Sequence, residues 1–376
     1  MFNKILAFLL SVVCFFAMGQ PNILPERRGF TGQVQDKYGV WPGAEEDFPT
    51  GEKPWWVMPR LFRAAYDIRG LLTDLGSKTT SLLVLDKGKI VYEYYADTTD
   101  NIHPGSGTGK GALRAINSGT KSIVSALVGI AIEEGRIGGV DDKVIGYFPG
   151  AVAPAGQESK HDMTVGHLLT MTSGLPGDFD NLGSYAKLDE PFWEKYRADS
   201  ARTYFLEVGQ KYKPGRAWGY SSLSTHVLGG VVAEAVGVPL EKYAEQKLFG
   251  PLGITDYFWY KAPDGLPQSG GGLHLNTHDM LRFGWLYLNN GNWNGTQVVP
   301  ADWVAQTPPR AKVPLGYGRL FWAFPYAPFS GYGTNGYEGQ YIDIFPSRGV
   351  VIVRTGTAGP ADQFLVRLAG LFGIQL

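Results

Sequence analysis

The sequence predicts an α/β fold: an antiparallel sheet built from both chain ends and flanked by helices, plus a mostly helical inserted domain. Three observations carry this. Strand signals open the body of the chain, where Ser81–Leu85 and Ile90–Tyr95 flank the hairpin turn Asp86-Lys87-Gly88. They return near its end, where Tyr341–Ile344 and Val350–Val353 lie either side of Pro346-Ser347-Arg348-Gly349. Between them, from Thr164 to Pro300, apolar residues recur mostly at helical spacing. Strand-rich ends around a helical middle are satisfied by one sheet closed by both ends of the chain.

The elements follow in order. Lys4 precedes an apolar run, Ile5–Met18, and then Gly19-Gln20-Pro21. A positive start, an apolar stretch and small residues read as a secretory signal over 1–19, which makes the protein secreted, in the periplasm. The run is shorter than the roughly 20 residues of a membrane span. A retained anchor and a lipoprotein cysteine at Cys14 are the alternatives. Residues 20–58 form an N-terminal extension rich in Gly, Pro and charge. Residues 59–160 hold the first part of the α/β domain, with helical spacing over Pro59–Leu75 and an apolar helix over Thr120–Glu134 that stops at Gly135. The helical domain, 161–310, carries Val165–Met171, Leu223–Val236, Leu240–Leu248 and His278–Asn289, with Pro239 fitting the first position of the third. Residues 311–376 complete the α/β domain and end in an amphipathic helix, Ala361–Leu376. No second apolar run is long enough to span a membrane, so the mature chain has no transmembrane segment.

Composition narrows the chemistry. The 376 residues carry 34 Lys+Arg against 35 Asp+Glu, a formal charge of −1. A nucleic-acid binder would show a basic field, so no nucleic-acid partner is expected. A single cysteine excludes an internal disulfide framework and any Cys-based zinc cluster.

Three segments carry candidate chemistry. Ser118-Gly119-Thr120-Lys121 opens the apolar helix, and i, i+3 spacing puts Ser118 and Lys121 on one face. A lysine at the head of a buried helix is costly as a cation unless paired, and a neutral amine can take a proton from a nearby hydroxyl. The helix N-terminus also favours a developing oxyanion. The Ser-x-x-Lys pattern is common by chance, and it recurs at Ser184–Lys187 in a polar stretch that reads as loop. Tyr220-Ser221-Ser222 precedes another helix. Its tyrosine reads as a proton shuttle in a cleft or, more commonly at such a junction, as a hydrogen-bonded core tyrosine beside a serine helix cap. Tyr287-Leu288-Asn289 lies inside a helix and reads as packing. The third segment, Gly336-Tyr337-Glu338-Gly339-Gln340, opens a strand. Its glycines let backbone pass close to a ligand, or form a plain bulge.

Taken together, at separations of 102 and 117 residues, the three segments resemble the serine β-lactamase and penicillin-binding protein superfamily, whose motifs are Ser-x-x-Lys, Tyr-x-Asn or Ser-x-Asn, and Lys-Thr-Gly. Leu168–Leu175 and Gly271-Gly272-Leu273 with Asp279–Gly284 match further family segments. The resemblance runs from about Ser81 to Leu376 and is strongest to the class C-like esterase and 6-aminohexanoate-dimer hydrolase branch. It implies a β-lactamase/transpeptidase-like fold and acyl transfer without cofactor or metal. It implies Ser118 as nucleophile, Lys121 as its base or proton relay, and Tyr220 as an assisting base that then protonates the leaving group. Ser222 stands where the family often has Asn. The amides of Ser118 and Gln340 would form the oxyanion hole, with Tyr337 and Gly339 at the substrate. Tyr337-Glu338-Gly339 replaces Lys-Thr-Gly, and a tyrosine offers no cation to a substrate carboxylate. This favours a small-molecule ester or amide with neutral or aromatic parts over a β-lactam. Phe321, Trp322, Phe324, Tyr326, Phe329 and Tyr332 either wall an apolar acyl pocket or pack a long loop.

Three other classes stand beside this one. The first is a non-catalytic or cell-wall-peptide-binding relative on the same fold. The second is a D-amino-acid peptidase. The third is a metal-dependent hydrolase through His274 and His278, although Asn276-Thr277 reads as a helix start that would separate the two histidines. No Gly-x-Ser-x-Gly elbow occurs.

Overall fold

Asp86 and Lys89 face each other across a two-residue turn in which Lys87 and Gly88 both take positive φ, 49° and 82°. Such a turn matches the right-handed twist of the strands it joins, and this is the hairpin read from Asp86-Lys87-Gly88. The computed structural model describes residues 79–100, 102–103, 106–178, 200–308, 316–324 and 331–356. The predicted signal, the helices over 59–75 and 361–376 and the second Ser-x-x-Lys lie outside them.

The chain runs through β1 (Thr79–Asp86), β2 (Lys89–Tyr95), β3 (Arg114–Ala115), α1 (Thr120–Glu133), α2 (Val165–Leu169), α3 (Ser200–Glu207), α4 (Ser222–Val236) and α5 (Leu240–Ala244). It continues through β4 (Phe258–Trp259), β5 (Leu273–Leu275), α6 (Thr277–Leu288), β6 (Asn292–Trp293), β7 (Thr296–Gln297) and α7 (Ala301–Ala305). It closes with β8 (Tyr317–Gly318), β9 (Phe321–Phe324), β10 (Gly331–Gly336), β11 (Gln340–Phe345) and β12 (Val350–Gly356). The main sheet is antiparallel, in the order β2-β1-β12-β11-β10-β9-β8. Early strands thus pair directly with late ones, Leu83 opposite Val353, as the strand-rich ends predict.

Helix α6 lies on this sheet at Gly284, where a Cβ would come within 2.5 Å of Val351 Cγ1. Helix α1 is buried from Thr120 to Ala131, so it has no solvent face. Gly135 ends it at φ +66°.

Several predicted boundaries shift. Pro239 precedes α5 in an extended conformation instead of filling its first turn, and α5 passes into a π-turn over Glu245–Phe249. Helix α2 ends at Leu169, and Met171 takes φ +58°. The middle of the chain is not purely helical, because β4 and β5 join β3 in a small three-stranded sheet. That sheet brings residues 273–275 against the segment just before Ser118.

Helix α4 buries His226 completely, its Nε2 lying 2.6 Å from Ser200 Oγ. Burial drives the His226 pKa down to about 4, partly offset by Asp264. The unfolded chain binds this proton at about pH 6.5 and the folded chain does not, so stability falls as pH drops from about 6.5 towards 4, by up to about 3 kcal/mol. His226→Gln is expected to lose less melting temperature than the wild type between pH 7 and 4.5. Equal losses would show that this histidine does not drive acid unfolding.

Candidate active site

Ser118 sits in a single 3₁₀ turn, Asn117–Gly119, that feeds straight into the 14-residue α1. Asn117 takes φ +47°, a left-handed conformation that asparagine tolerates better than most residues. The turn leaves Ser118 half-buried at the positive end of the helix, and Lys121, one turn on, is buried.

The Lys121 ammonium is fully engaged. Its Nζ donates to Ser118 Oγ at 2.9 Å, to Ser222 Oγ at 2.9 Å and to the Gly270 carbonyl at 2.6 Å. It also lies 4.7 Å from the centre of the Tyr220 ring. Three donors and three acceptors satisfy a cation that burial would otherwise make costly. Ser118, Lys121, Ser222 and Tyr220, read from two segments 102 residues apart, therefore meet around one nitrogen.

Helix α4 supplies the second segment. Ser221 caps it, its Oγ accepting from Ser224 N at 3.1 Å, as the cap reading of the triplet has it. Ser222 is the first residue of the helix, and its hydroxyl turns towards Lys121. The Asp178 carboxylate holds Ser222 twice: Ser222 N donates to Oδ1 at 2.6 Å and Ser222 Oγ donates to Oδ2 at 2.7 Å. Asp178 N in turn donates to the Tyr220 carbonyl at 2.6 Å, docking the segment after α2 onto residues 219–222.

The third segment forms the hairpin tip between β10 and β11. Gly336 packs so closely that a Cβ there would collide with the Ile116 carbonyl, which brings the tip against the nucleophile turn. Asn117 Nδ2 donates to the Tyr337 carbonyl at 2.8 Å. Glu338 and Gly339 both take positive φ, and the Gly339 carbonyl accepts from buried Arg354 Nη1 at 2.8 Å. The Gln340 side chain is buried and turned inward, donating to Gly356 O at 2.6 Å and accepting from Gly356 N at 3.1 Å. The same amide reaches the turn, Nε2 donating to the Tyr337 carbonyl at 3.2 Å. The Tyr337 side chain is 76% exposed.

The late aromatic segment divides. Phe321 and Tyr332 pack in the core with each other and with Phe283 and Tyr287. Trp322, next along β9, points the other way, to within 5.8 Å of the Tyr220 ring. Tyr326 and Phe329 and the side chain of Phe324 lie outside the described residues. Trp218 and Tyr317 complete a wall around Tyr220, at ring distances of 6.3 and 5.9 Å. Burial, with Tyr220 and Asp178 close by, pushes the Tyr317 hydroxyl well above its usual pKa, so it stays protonated.

Asp178, Gly270, Asn117, Trp218 and Tyr317 are parts of the site that the sequence reading missed. Asn117 adjoins the nucleophile and Trp218 lies two residues before Tyr220, so adjacency could have found them; the others carry no local signal. The two histidines are not a ligand pair. His278, in the first turn of α6, lies 2.9 Å from Glu93 Oε1, which helps lower the Glu93 pKa to about 2 against its burial. His274, on β5, sits in an aromatic group with His103, Phe258 and Tyr260. The Asn276 cap, Oδ1 accepting from Asp279 N at 2.9 Å, separates the two.

Comparison with known proteins adds four likenesses. The Beta-lactamase family model matches residues 64–369. Penicillin-binding protein 4 of Amycolatopsis lactamdurans is 26% identical over 313 residues, covering 71% of this chain and 78% of the relative. Among solved structures, a Bacillus anthracis protein assigned as a 6-aminohexanoate-dimer hydrolase aligns with TM-score 0.65 at 20% identity, covering 82% of this chain and 83% of its own. EstCE1, a hydrolase with promiscuous acyltransferase activity, aligns with TM-score 0.67 at 14% identity, covering 85% and 100%.

Proposed function

Because the chain belongs to the Beta-lactamase family, whose fold its sheet and helices share, we propose that it is an exported serine hydrolase that cleaves an ester or amide through an acyl-enzyme on Ser118. The observation that carries this is the Lys121 nitrogen, 2.9 Å from both Ser118 Oγ and Ser222 Oγ. Once one of its three protons has left, the amine can take the Ser118 proton while Oγ attacks the substrate carbonyl. The N-terminal end of α1 and the amides of Ser118 and Gln340 stabilise the oxyanion that forms. Tyr220, against the Lys121 nitrogen, passes the proton to the leaving group. Water then repeats the sequence on the acyl group.

The substrate reading rests on two features. Trp218 and Trp322 pack around Tyr220, whose ring centre lies 4.7 Å from the Lys121 nitrogen, an aromatic surface suited to an apolar or aromatic acyl or leaving group. Tyr337-Glu338-Gly339 supplies no cationic side chain where Lys-Thr-Gly has its lysine, and the guanidinium at the tip, Arg354, is buried and donates to the Gly339 carbonyl, which favours a substrate without a carboxylate at that place. Esterase or amidase activity is favoured over β-lactam hydrolysis. The N-terminal apolar segment is the export signal in this reading.

A fluorophosphonate probe tests the central step. It is expected to label the protein, with the adduct mapping to the peptide containing Ser118. No labelling, or an adduct elsewhere, would sink the proposal. A panel of p-nitrophenyl esters, a chromogenic cephalosporin and D-amino-acid amides then ranks substrates, and the cephalosporin is expected to rank last.

A further inference from the structure

We infer that Asp178 is a positioning residue for the general base: it fixes the direction of the Ser222 hydroxyl proton, so that the Lys121 lone pair is reserved for Ser118. The inference rests on the serine-hydrolase reading above and adds a residue to it.

Lys121 Nζ has three neighbours in reach: Ser118 Oγ, Ser222 Oγ and Gly270 O. As an ammonium it donates to all three. As the neutral amine it has two N–H donors and one lone pair, and the lone pair needs a donor. The Gly270 carbonyl has no proton. Ser118 and Ser222 each have one, so the amine could be capped by either. Capped by Ser222, the base would have its lone pair aimed away from the nucleophile.

Asp178 removes that choice. Its Oδ2 lies 2.7 Å from Ser222 Oγ and accepts that hydroxyl's single proton, while Oδ1 accepts from Ser222 N at 2.6 Å. Both contacts require an acceptor, and an ionised carboxylate has acceptors only. With its proton committed, Ser222 Oγ meets Lys121 purely as an acceptor. Of the three described hydrogen-bond neighbours, Ser118 is then the one able to donate to the lone pair. The step balances: the Ser118 O–H bond breaks, the proton forms an N–H bond on Lys121, and the freed Oγ electron pair attacks the carbonyl. The backbone is built to hold this arrangement. Asp178 N is bonded to the Tyr220 carbonyl, Gly219 N donates to the Met171 carbonyl at 2.8 Å, and a Cβ at Gly177 would lie 2.9 Å from Tyr220 O.

The pair also accounts for Ser222 standing where Asn is frequent in the resembling motif. An asparagine carbonyl is an acceptor with no proton to misdirect. Serine alone is ambiguous, and Ser222 with Asp178 restores an acceptor-only group.

Asp178→Asn in the full chain tests this. An amide can satisfy one of the two contacts with its carbonyl but presents N–H donors to the other, which turns the Ser222 proton towards Lys121. Expected are a fall in kcat on a p-nitrophenyl ester of about 10- to 100-fold and an equal fall in fluorophosphonate labelling rate, with KM within about threefold. The decisive readout is the double variant. Removing the misdirected proton with Ser222→Ala is expected to restore Asp178→Asn to the level of Ser222→Ala alone, within about twofold. A role in folding alone would not give such rescue. Should Asp178→Asn not fold by thermal melting, Asp178→Ser, which withdraws the carboxylate, takes its place in the same cycle. The inference is overturned if the wild type is labelled but the folded Asp178 variant keeps kcat within about twofold, or if the two substitutions multiply. Wild-type protein that is not labelled at all would overturn the hydrolase reading instead.

Discussion

Lys121→Met is expected to lower kcat/KM by about 10³- to 10⁴-fold, to within about tenfold of Ser118→Ala. Methionine matches the length of the lysine stem and fills the same buried space at the head of α1, so the packing around Ile123 and Val124 is kept. What is lost is the nitrogen. Ser118 Oγ then loses the basic nitrogen that lies 2.9 Å from it among the described residues. Ser222 Oγ is tied to Asp178, and the Tyr220 ring loses the cation 4.7 Å from its centre. Residues that act as one unit show non-additive losses, so the double variant with Ser118→Ala should be no slower than either single variant. KM should change little, because the lysine is buried. Steady-state kinetics on a p-nitrophenyl ester, with labelling rate as a second measure, decide the matter. A folded Lys121→Met enzyme within tenfold of wild type would show that another group takes the serine proton.

The parts of this site that were legible in the sequence share one property: their relation is local. Ser118 and Lys121 are one helical turn apart, and helix geometry alone puts them on one face. Ser221 and Ser222 stand at a helix start, where a serine cap is expected. The hairpin at Gly88 and the α1 stop at Gly135 are written in glycines, which take positive φ at little cost, and Lys87 joins Gly88 in that region. Asp178 and Gly270 were not legible because their relation is not local. Gly270 contributes a single carbonyl to Lys121, which any residue could supply. Asp178 contributes a carboxylate across 44 residues, through a loop contact that no spacing rule encodes.

The aromatic run shows a different limit. Phe321 and Trp322 read as one cluster in sequence, but adjacent residues of a strand face opposite sides of a sheet. Phe321 therefore packs against Phe283 and Tyr287, while Trp322 reaches Tyr220. Both readings of the run, core packing and site wall, hold, each for alternate residues. Gln340 carries a similar lesson. As a side chain it is structural, bonded to both the carbonyl and the amide of Gly356, so any part it takes in the chemistry falls to its backbone.

Tyr220→Phe is expected to separate the two things this tyrosine does. The ring packs with Trp218, Tyr317 and Trp322 and lies over the Lys121 nitrogen. Phenylalanine keeps all of that, so the melting temperature should hold and the aromatic wall should stay in place. The hydroxyl alone is deleted. If it carries the proton to the leaving group, kcat/KM should fall by about 10²- to 10³-fold on substrates with poor leaving groups. The loss should shrink for p-nitrophenyl esters, whose phenolate departs without needing a proton. That dependence on the leaving group is the signature of a proton donor, because a lost packing contact would cost every substrate alike. Tyr220→Ala, which removes ring and hydroxyl together, should add a rise in KM for aromatic esters. Equal losses of Tyr220→Phe on alkyl and p-nitrophenyl esters would move the proton relay away from Tyr220 and leave it as part of the wall that holds the substrate.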